Sequence, residues 1–176
     1  MKKRILLSIA VIVVLFVSLG FFVYNEIIRN VFRYTTPEDS FTNSCPRGAS
    51  LIDILECHNI AMIVYETKDG VASCSIISKE KRGWTPLSLS YIDQKNILVE
   101  NGFVNKKEIS GKFVIDIELV IEQDIPSISD NLNSEIETGS SKLASGKKLV
   151  YGLLVSEVDF PENYELIIGD QKVTFN

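Results

Sequence analysis

A long uncharged apolar run near the N-terminus constrains this chain more than any other feature. Residues 5–24 read ILLSIAVIVVLFVSLGFFVY, and Lys2, Lys3 and Arg4 stand directly before them. About 20 apolar residues are enough for a helix to cross the hydrocarbon core of a bilayer, and basic residues beside such a helix stay on the cytoplasmic side. The sequence therefore predicts a cytoplasmic basic tail over 1–4 and a single-pass transmembrane signal-anchor helix over 5–24, with the lipid bilayer as its partner.

A cleaved secretory signal is the alternative for the same segment. In that interpretation 5–17 form the apolar part, and Ser18 and Gly20 are the small residues before the cut. Apolar residues continue through Tyr24, however, where a mature N-terminus usually turns polar. This favours an uncleaved anchor in the cell membrane, with everything after residue 24 outside the cytoplasm.

The part of the chain beyond the apolar run is acidic. All 23 Asp and Glu residues follow residue 25, whereas three of the 18 Lys and Arg residues precede the run. The remaining 15 basic residues leave this part with a net charge of −8. Proteins that bind nucleic acid need a basic face for the phosphates, so the charge argues against a nucleic-acid partner.

Beyond the anchor the sequence divides into a linker and one domain. Residues 25–48 contain many turn-forming Thr, Pro, Asp, Ser and Asn residues without a sustained period, which indicates a stalk. Residues 49–176 are enough for a single core and contain no internal repeat. We expect them to form one extracytoplasmic β-rich domain.

A short helix is predicted at the start of this domain. Ser50 is a suitable N-cap for the segment LIDILECHN. Helical spacing places Leu51, Ile54, Leu55 and His58 of this segment on one face. The pattern predicts an amphipathic helix that faces the core.

The rest of the domain has the alternation and turn chemistry of antiparallel strands. The predicted strands cover 60–67, 71–78, 84–92, 97–100, 103–106, 111–122, 149–156, 164–168 and 172–175. The polar stretch 123–147 is predicted as a long loop that could include a short helix. A hairpin around 69–70 would place Tyr65 opposite Cys74, and two more hairpins turn at 101–102 and 169–170. The fold class is therefore mainly β (α+β): an N-terminal transmembrane helix, one short helix and an antiparallel β-meander or sandwich-like domain.

The strand at 111–122 shows the clearest alternation. Its odd-numbered residues are apolar and are predicted to face the core, so its even-numbered residues should mostly face water. Asp116, Glu118 and Glu122 then lie about 7 Å or more apart on one strand face. Such carboxylates could serve a glycosidase or bind calcium, but a solvated strand face is the simpler interpretation.

Several short features of the exported part occur together in a known kind of protein. They are a short helix, a strand that ends in charged residues, Gly83-Trp84 after a basic turn, and Tyr151-Gly152 in a late strand before a terminal hairpin. In these features the chain resembles small membrane-anchored extracytoplasmic proteins of Gram-positive bacteria that have no assigned activity. The resemblance implies no catalytic residues.

The three cysteines, Cys45, Cys57 and Cys74, are the candidates for a disulfide. A bridge is allowed outside the cytoplasm, and an odd count leaves one thiol free or paired between molecules. Cys45–Cys57 would tie the stalk to the predicted helix, and Cys57–Cys74 would tie that helix to the first hairpin. The pairing stays open, because a bridge depends on Cα separation and side-chain direction.

Metal binding or catalysis by these residues is disfavoured. The single histidine, His58, directly follows Cys57, and adjacent side chains on a helix point about 100° apart. No pair of Cys or His residues has the two-to-four-residue gap that is usual for zinc ligands. We therefore assign no catalytic, cofactor-binding or metal-ligating residue and expect no cofactor.

Two functions remain open for such a chain. The first is a non-enzymatic interaction or binding module at the outer face of the membrane, with a protein of the cell envelope as its partner. The second is an envelope hydrolase or small-ligand-binding protein that uses carboxylates of the β domain. A deep pocket that contains His58 or two close carboxylates would favour the second, and an apolar patch or a bare sheet edge would favour the first.

Overall fold

The structure, a computed structural model, describes Ser18, Gly20 and residues 33–87, 95–122 and 124–175. The chain divides into two compact units, Met1–Arg33 and Tyr34–Asn176, and the fold described below is that of the second. Apart from Ser18 and Gly20, the predicted membrane anchor at 5–24 lies outside the described residues. Within the described residues, no helix has both the length and the apolar character that a membrane crossing requires.

The described residues of the second unit form one short helix and twelve strands. The helix, α1, spans Pro37–Ser44. The strands are β1 (Ser50–Cys57), β2 (Ile60–Glu66), β3 (Ala72–Glu80), β4 (Gly83–Trp84), β5 (Lys95–Val99), β6 (Gly102–Ile109), β7 (Lys112–Ile121), β8 (Ile128–Asp130), β9 (Glu137–Lys142), β10 (Lys148–Ser156), β11 (Glu165–Ile168) and β12 (Gln171–Thr174). The prediction of a mainly β fold with antiparallel sheets and one short helix is confirmed.

The strands form three antiparallel sheets. The first sheet has the order β1-β2-β3-β4, the central sheet β5-β6-β7-β10-β9, and the third sheet β12-β11-β8. One apolar cluster lies between the first and central sheets, and another lies between the central and third sheets. A third cluster packs α1 against the outer face of the first sheet. The central sheet is therefore covered on both faces, and this burial decides where polar side chains can go.

The predicted helix after Ser50 is wrong, because this segment is strand β1. Leu51 pairs with Tyr65 of β2, and Asp53 pairs with Val64, so Ile52 is an extra residue that forms a bulge. The helix of the domain lies instead within 25–48, the segment that was predicted as a stalk. Thr36 caps α1 through a hydrogen bond from the backbone N–H of Asp39 to Thr36 Oγ1 (3.1 Å).

The first hairpin is confirmed, but its predicted register is wrong by one residue. Tyr65 pairs with Ser73 rather than with Cys74, and Cys74 pairs with Val64. The turn has three residues, 68–70, between Thr67 and Val71, with Gly70 at φ +75°. Because side chains alternate between faces, the shift moves Cys74 to the face opposite that of Tyr65.

The other hairpins agree more closely with the sequence. Strands β5 and β6 form the hairpin expected near 101–102, although the two turn residues are Glu100 and Asn101. Strands β11 and β12 form the terminal hairpin, and Leu166 pairs with Val173 as predicted. The long loop expected over 123–147 is wrong, because it contains β8 and β9. The predicted third strand at 84–92 is described only up to residue 87, and there it is reduced to β4.

The alternation along β7 was misinterpreted on one face. Asp116 and Glu118, predicted to face water, are buried between the first and central sheets. Val114 on the same face belongs to the apolar cluster between these two sheets. Both faces of β7 are therefore interior, as is usual for a strand covered by layers on both sides.

A glycine in β9 makes room for a tyrosine of β10. Gly139 pairs with Tyr151, and a Cβ atom on residue 139 would overlap the Tyr151 ring. We expect Gly139→Ala to lower the free energy of unfolding by about 1–2 kcal/mol, because the ring has to move within a packed layer. Urea unfolding followed by the fluorescence of Trp84 would measure this. Ser141→Ala, on the same strand face, is the control, and an equal effect of both changes would contradict the explanation.

Candidate functional site

Three connections of the domain surround a cavity of about 330 Å³. They are the turn between β1 and β2, the connection between β8 and β9, and the connection between β10 and β11. The lining residues are Cys57, His58, Leu132, Ser134, Glu135, Glu137, Leu154, Val155, Ser156, Val158, Asp159, Phe160 and Pro161. We call this cavity the acidic pocket, because it contains three carboxylates and no lysine or arginine.

The turn between β1 and β2 brings Cys57 and His58 together. His58 and Asn59 are its two central residues, with φ of +48° and +63°, the conformation of a two-residue hairpin turn in which Asn is favoured. Cys57 Sγ lies 3.2 Å from His58 Nδ1. The sequence argument had separated these side chains on a helix. In the turn they are in contact, and the exposed His58 faces the pocket rather than the core.

Two of the three pocket carboxylates have no basic partner among the described residues. Asp159 forms an ion pair with Lys106 (2.7 Å). In the part of the chain that the structure describes, neither Glu135 nor Glu137 forms an ion pair, and both side chains are exposed. Within the described part of the domain, these two carboxylates therefore give the pocket a negative potential that no ion pair neutralises.

Cys57 is held in its protonated form by this environment. Burial of the thiol raises the pKa of Cys57 above its ordinary value, and the charges of Glu137 and Glu135 raise this pKa further, whereas Lys112 lowers it. A cysteine nucleophile needs the opposite setting, because only the thiolate attacks and a lowered pKa produces it. The contact between Cys57 and His58 is therefore poorly suited to nucleophilic catalysis.

The rim of the pocket is apolar. Leu132 is 51% exposed and Val158 is 71% exposed. Deeper in the pocket, Leu154 and Val155 are buried members of the two apolar clusters that flank the central sheet. Exposed apolar side chains beside convergent polar groups are typical of binding sites.

A second polar group of residues is enclosed between the first and central sheets. Lys107 Nζ lies 2.6 Å from Asp116 Oδ1, and the two side chains are only 4% and 5% exposed. Asn105 Nδ2 donates a hydrogen bond to the second oxygen, Asp116 Oδ2 (2.7 Å). Asp116 is therefore engaged on both oxygens and closed off from solvent, which makes it unsuitable as a hydrolase carboxylate.

Glu118 lies beside this pair and meets Cys74 across the space between the sheets. Burial raises the pKa of Glu118 from 4.5 to about 7, and the charge of Asp116 contributes in the same direction. Hydrogen bonds from the thiol and the backbone N–H of Cys74 oppose this increase. Glu118 is thus a buried acid that changes its charge near neutral pH.

Asp53 and Tyr151 complete the polar contacts between these two sheets. Tyr151 Oη donates a hydrogen bond of 2.6 Å to Asp53 Oδ2. Burial raises the pKa of Tyr151, and the bond to Asp53 raises it further. Together with the contact between Glu118 and Cys74, this hydrogen bond fixes the relative position of the first and central sheets.

No metal site emerges from these groups. Within the described residues, no three His, Cys, Asp or Glu side chains are placed to hold one ion. Of the carboxylates singled out on the strand at 111–122, Asp116 and Glu118 are enclosed between sheets. Glu122 lies outside them and pairs with Lys147 (3.0 Å). The three carboxylates thus do not meet at one site.

All three cysteines are free in the structure. Cys57 and Cys74 lie on the same face of the first sheet, but on β1 and β3, with β2 between them. Two strand spacings alone amount to about 10 Å, which exceeds the reach of a disulfide. Cys45 packs against the opposite face of this sheet. Neither the Cys45–Cys57 nor the Cys57–Cys74 pairing fits this arrangement.

Glu135 and Glu137 were not recognised in the sequence. They lie in a stretch that was predicted as a polar loop, and neither belongs to a motif. Only the fold brings them next to His58, which is more than seventy residues earlier in the chain.

Comparisons with protein-family models, curated proteins and solved structures give no match to this chain.

Proposed function

We propose that the protein is a non-enzymatic binding module, anchored in the cell membrane by the helix predicted at 5–24. Its β-rich domain lies outside the cytoplasm and binds a protein of the cell envelope through the acidic pocket. The observation that carries this proposal is the pocket itself, in which unneutralised Glu135 and Glu137 converge with the exposed Leu132 and Val158.

The pocket supports binding more than hydrolysis. It contains His58 and close carboxylates, the feature that the sequence argument assigned to a ligand-binding protein or a hydrolase. A hydrolase, however, would need an activated nucleophile or a pair of carboxylates whose environments give them different pKa values. Cys57 is protonated here, and the buried acid, Glu118, lies outside the pocket. The remaining chemistry is charge and apolar area at an open surface, which recognises a partner without changing it.

Photocrosslinking in native membranes tests this function directly. A benzoylphenylalanine placed at Val158, on the pocket rim, should give one discrete crosslinked product. The matched control is the same change at Val71, which is also exposed but directly follows the turn between β2 and β3. Identical products from both positions, or no product from Val158, would contradict the proposal.

The location is tested separately. Protease added to intact protoplasts should remove the β-rich domain, because the basic tail at 1–4 keeps only the N-terminus inside. The protein should also stay with membranes that have been washed in high salt, since a spanning helix is held by apolar burial and not by charge. Survival of the domain under protease would reject the proposed orientation.

A further inference from the structure

Among the strands that the structure describes, β9 is hydrogen-bonded to a neighbour on one side only. It is the last strand of the central sheet and pairs with β10 from Glu137 to Lys142. All six residues pair without a shift in register, and the strand contains no proline. In the described part of the chain, the backbone of these residues forms no hydrogen bond to any other segment. An unpaired strand edge of this kind is a template for another strand.

Strand β1, an edge strand of the first sheet, pairs less regularly than β9. Strand β1 contains the bulge at Ile52, which breaks its ladder with β2. Bulges on edge strands are a common device against unwanted pairing. The edge of β9 lacks this device, so its backbone groups stay open to a further strand.

Both faces of β9 border a cavity. Glu137 pairs with Leu153, a residue of the apolar cluster between the first and central sheets, and it also lines the acidic pocket. On the other face, Thr138 and Ser140 line a second cavity of about 230 Å³, together with apolar side chains of Ile125, Pro126, Ile128 and Val150. Side chains of a strand added to β9 would alternate between these two cavities.

We propose that β9 binds an extended segment of the partner protein as an additional strand, and that a lysine or arginine of this segment enters the acidic pocket. This inference rests on the proposed binding function and specifies its ligand. Main-chain hydrogen bonds to β9 would supply affinity, and the pocket would select the side chain, as in other cases of strand addition.

The pocket is matched to a long basic side chain. Glu135 and Glu137 offer two carboxylates that have no counter-ion in the described part of the chain, whereas Lys106 already neutralises Asp159. The methylene stem of a lysine or arginine can pack on the exposed Leu132 and Val158 while its charge reaches the carboxylates. The net charge of −8 beyond the anchor would also speed the approach of a basic segment.

A peptide display library tests the proposal with the full chain held in a lipid nanodisc. Selected peptides should share one lysine or arginine flanked by β-branched or aromatic residues, since these favour an extended strand. Enrichment of peptides without a basic residue, or no enrichment at all, would overturn the inference.

Charge-neutral variants then locate the contact. Binding of a selected peptide should weaken about tenfold in the double variant Glu135→Gln/Glu137→Gln, as expected for two partly exposed charge pairs. The control is the double variant Glu38→Gln/Glu108→Gln, which removes the same charge from exposed positions outside the pocket. If both double variants weaken binding equally, the effect comes from the overall charge of the domain, and the pocket is not the contact.

Two synthetic changes in the selected peptide separate its parts. Replacing its basic residue by the neutral citrulline or norleucine should weaken binding about tenfold, and N-methylation of its alternate amides should abolish binding, because strand addition needs these donors. Unchanged affinity after N-methylation at every position would rule out strand addition.

The outcome for the ligand is distinguishable from the outcome for the function. If the crosslink from Val158 forms but no basic peptide is enriched, the binding module stands and its ligand is of another chemistry. If the crosslinked product has twice the mass of the chain, the pocket is occupied by a second copy of this chain, and the proposal of a different partner protein is overturned. Loss of both results removes the proposed function together with this inference.

Discussion

Replacing Lys107 with methionine should lower the free energy of unfolding by about 3–5 kcal/mol. Lys107 and Asp116 form an ion pair in which both side chains are almost completely buried. Methionine fills a similar volume but leaves the Asp116 carboxylate in the interior with only Asn105 as a hydrogen-bond donor. An uncompensated buried charge is among the most destabilising changes in a protein. Urea unfolding followed by the fluorescence of Trp84, the single tryptophan, would measure the effect.

The neighbouring lysine provides a matched control. Lys106 pairs with Asp159, whose side chain is 56% exposed, so Lys106→Met should lower the stability by less than about 1 kcal/mol. The double change Lys107→Met/Asp116→Leu should recover most of the loss, because it removes both charges together. Similar losses in the two single lysine variants would show that the Lys107–Asp116 pair is not the buried contact described here.

Replacing Glu118 with glutamine should stabilise the domain at alkaline pH and leave it nearly unchanged at acidic pH. The folded state raises the pKa of Glu118 from 4.5 to about 7, chiefly through burial. Folding therefore favours the protonated form. The contribution of protonated Glu118 to the free energy of unfolding is fully present below pH 4.5 and is lost as the pH rises through about 7. By linkage the loss above this range amounts to at most about 3 kcal/mol.

The measurement compares unfolding of the two proteins at about pH 5 and about pH 8.5. The free energy of unfolding of Glu118→Gln relative to that of the original chain should be about 2–3 kcal/mol higher at pH 8.5 than at pH 5, because glutamine has no proton to lose. Glu122→Gln is the control, since Glu122 is exposed and directly follows the same strand. Its difference from the original chain should not depend on pH. A pH-independent difference for Glu118→Gln would contradict the role of burial.

The helix predicted in place of β1 arose because apolar residues lie on both faces of this strand. The predicted helical face combined the adjacent residues Ile54 and Leu55. In the structure Leu55 packs into the cluster between the first and central sheets, whereas Ile54 packs on the other face, in the cluster that contains α1. Adjacent apolar residues fit the spacing of a helical face, and one segment alone does not reveal that both faces of a strand are covered.

The position of strand β7 was predicted correctly from the sequence, but the exposure of one of its faces was not. Its alternating pattern fits an exposed face at Asp116 and Glu118, because charged residues are rarely buried without a partner. The partners come from β6 and β3, which the alternation of β7 does not reveal. Burial on both faces is a property of the layers and not of the strand.

The candidate site was only partly accessible from the sequence. Cys57 and His58 were singled out, yet on a wrongly predicted helix they could not meet. Asn59 was the usable signal, because asparagine tolerates positive φ and here precedes a long apolar strand. Glu135 and Glu137 gave no signal, since their role follows from the position of β9 beside the β1–β2 turn.

The one-sided pairing of β9 has a consequence for the motions of the domain. A strand held by a single neighbour opens locally at a lower free energy than the strands in the middle of its sheet. Amide hydrogens of β9 should therefore exchange with solvent faster than those of β7 and β10, which are flanked on both sides. Glu137 is carried by this strand, so the wall of the pocket is also the part of the sheet that can most easily adjust its shape.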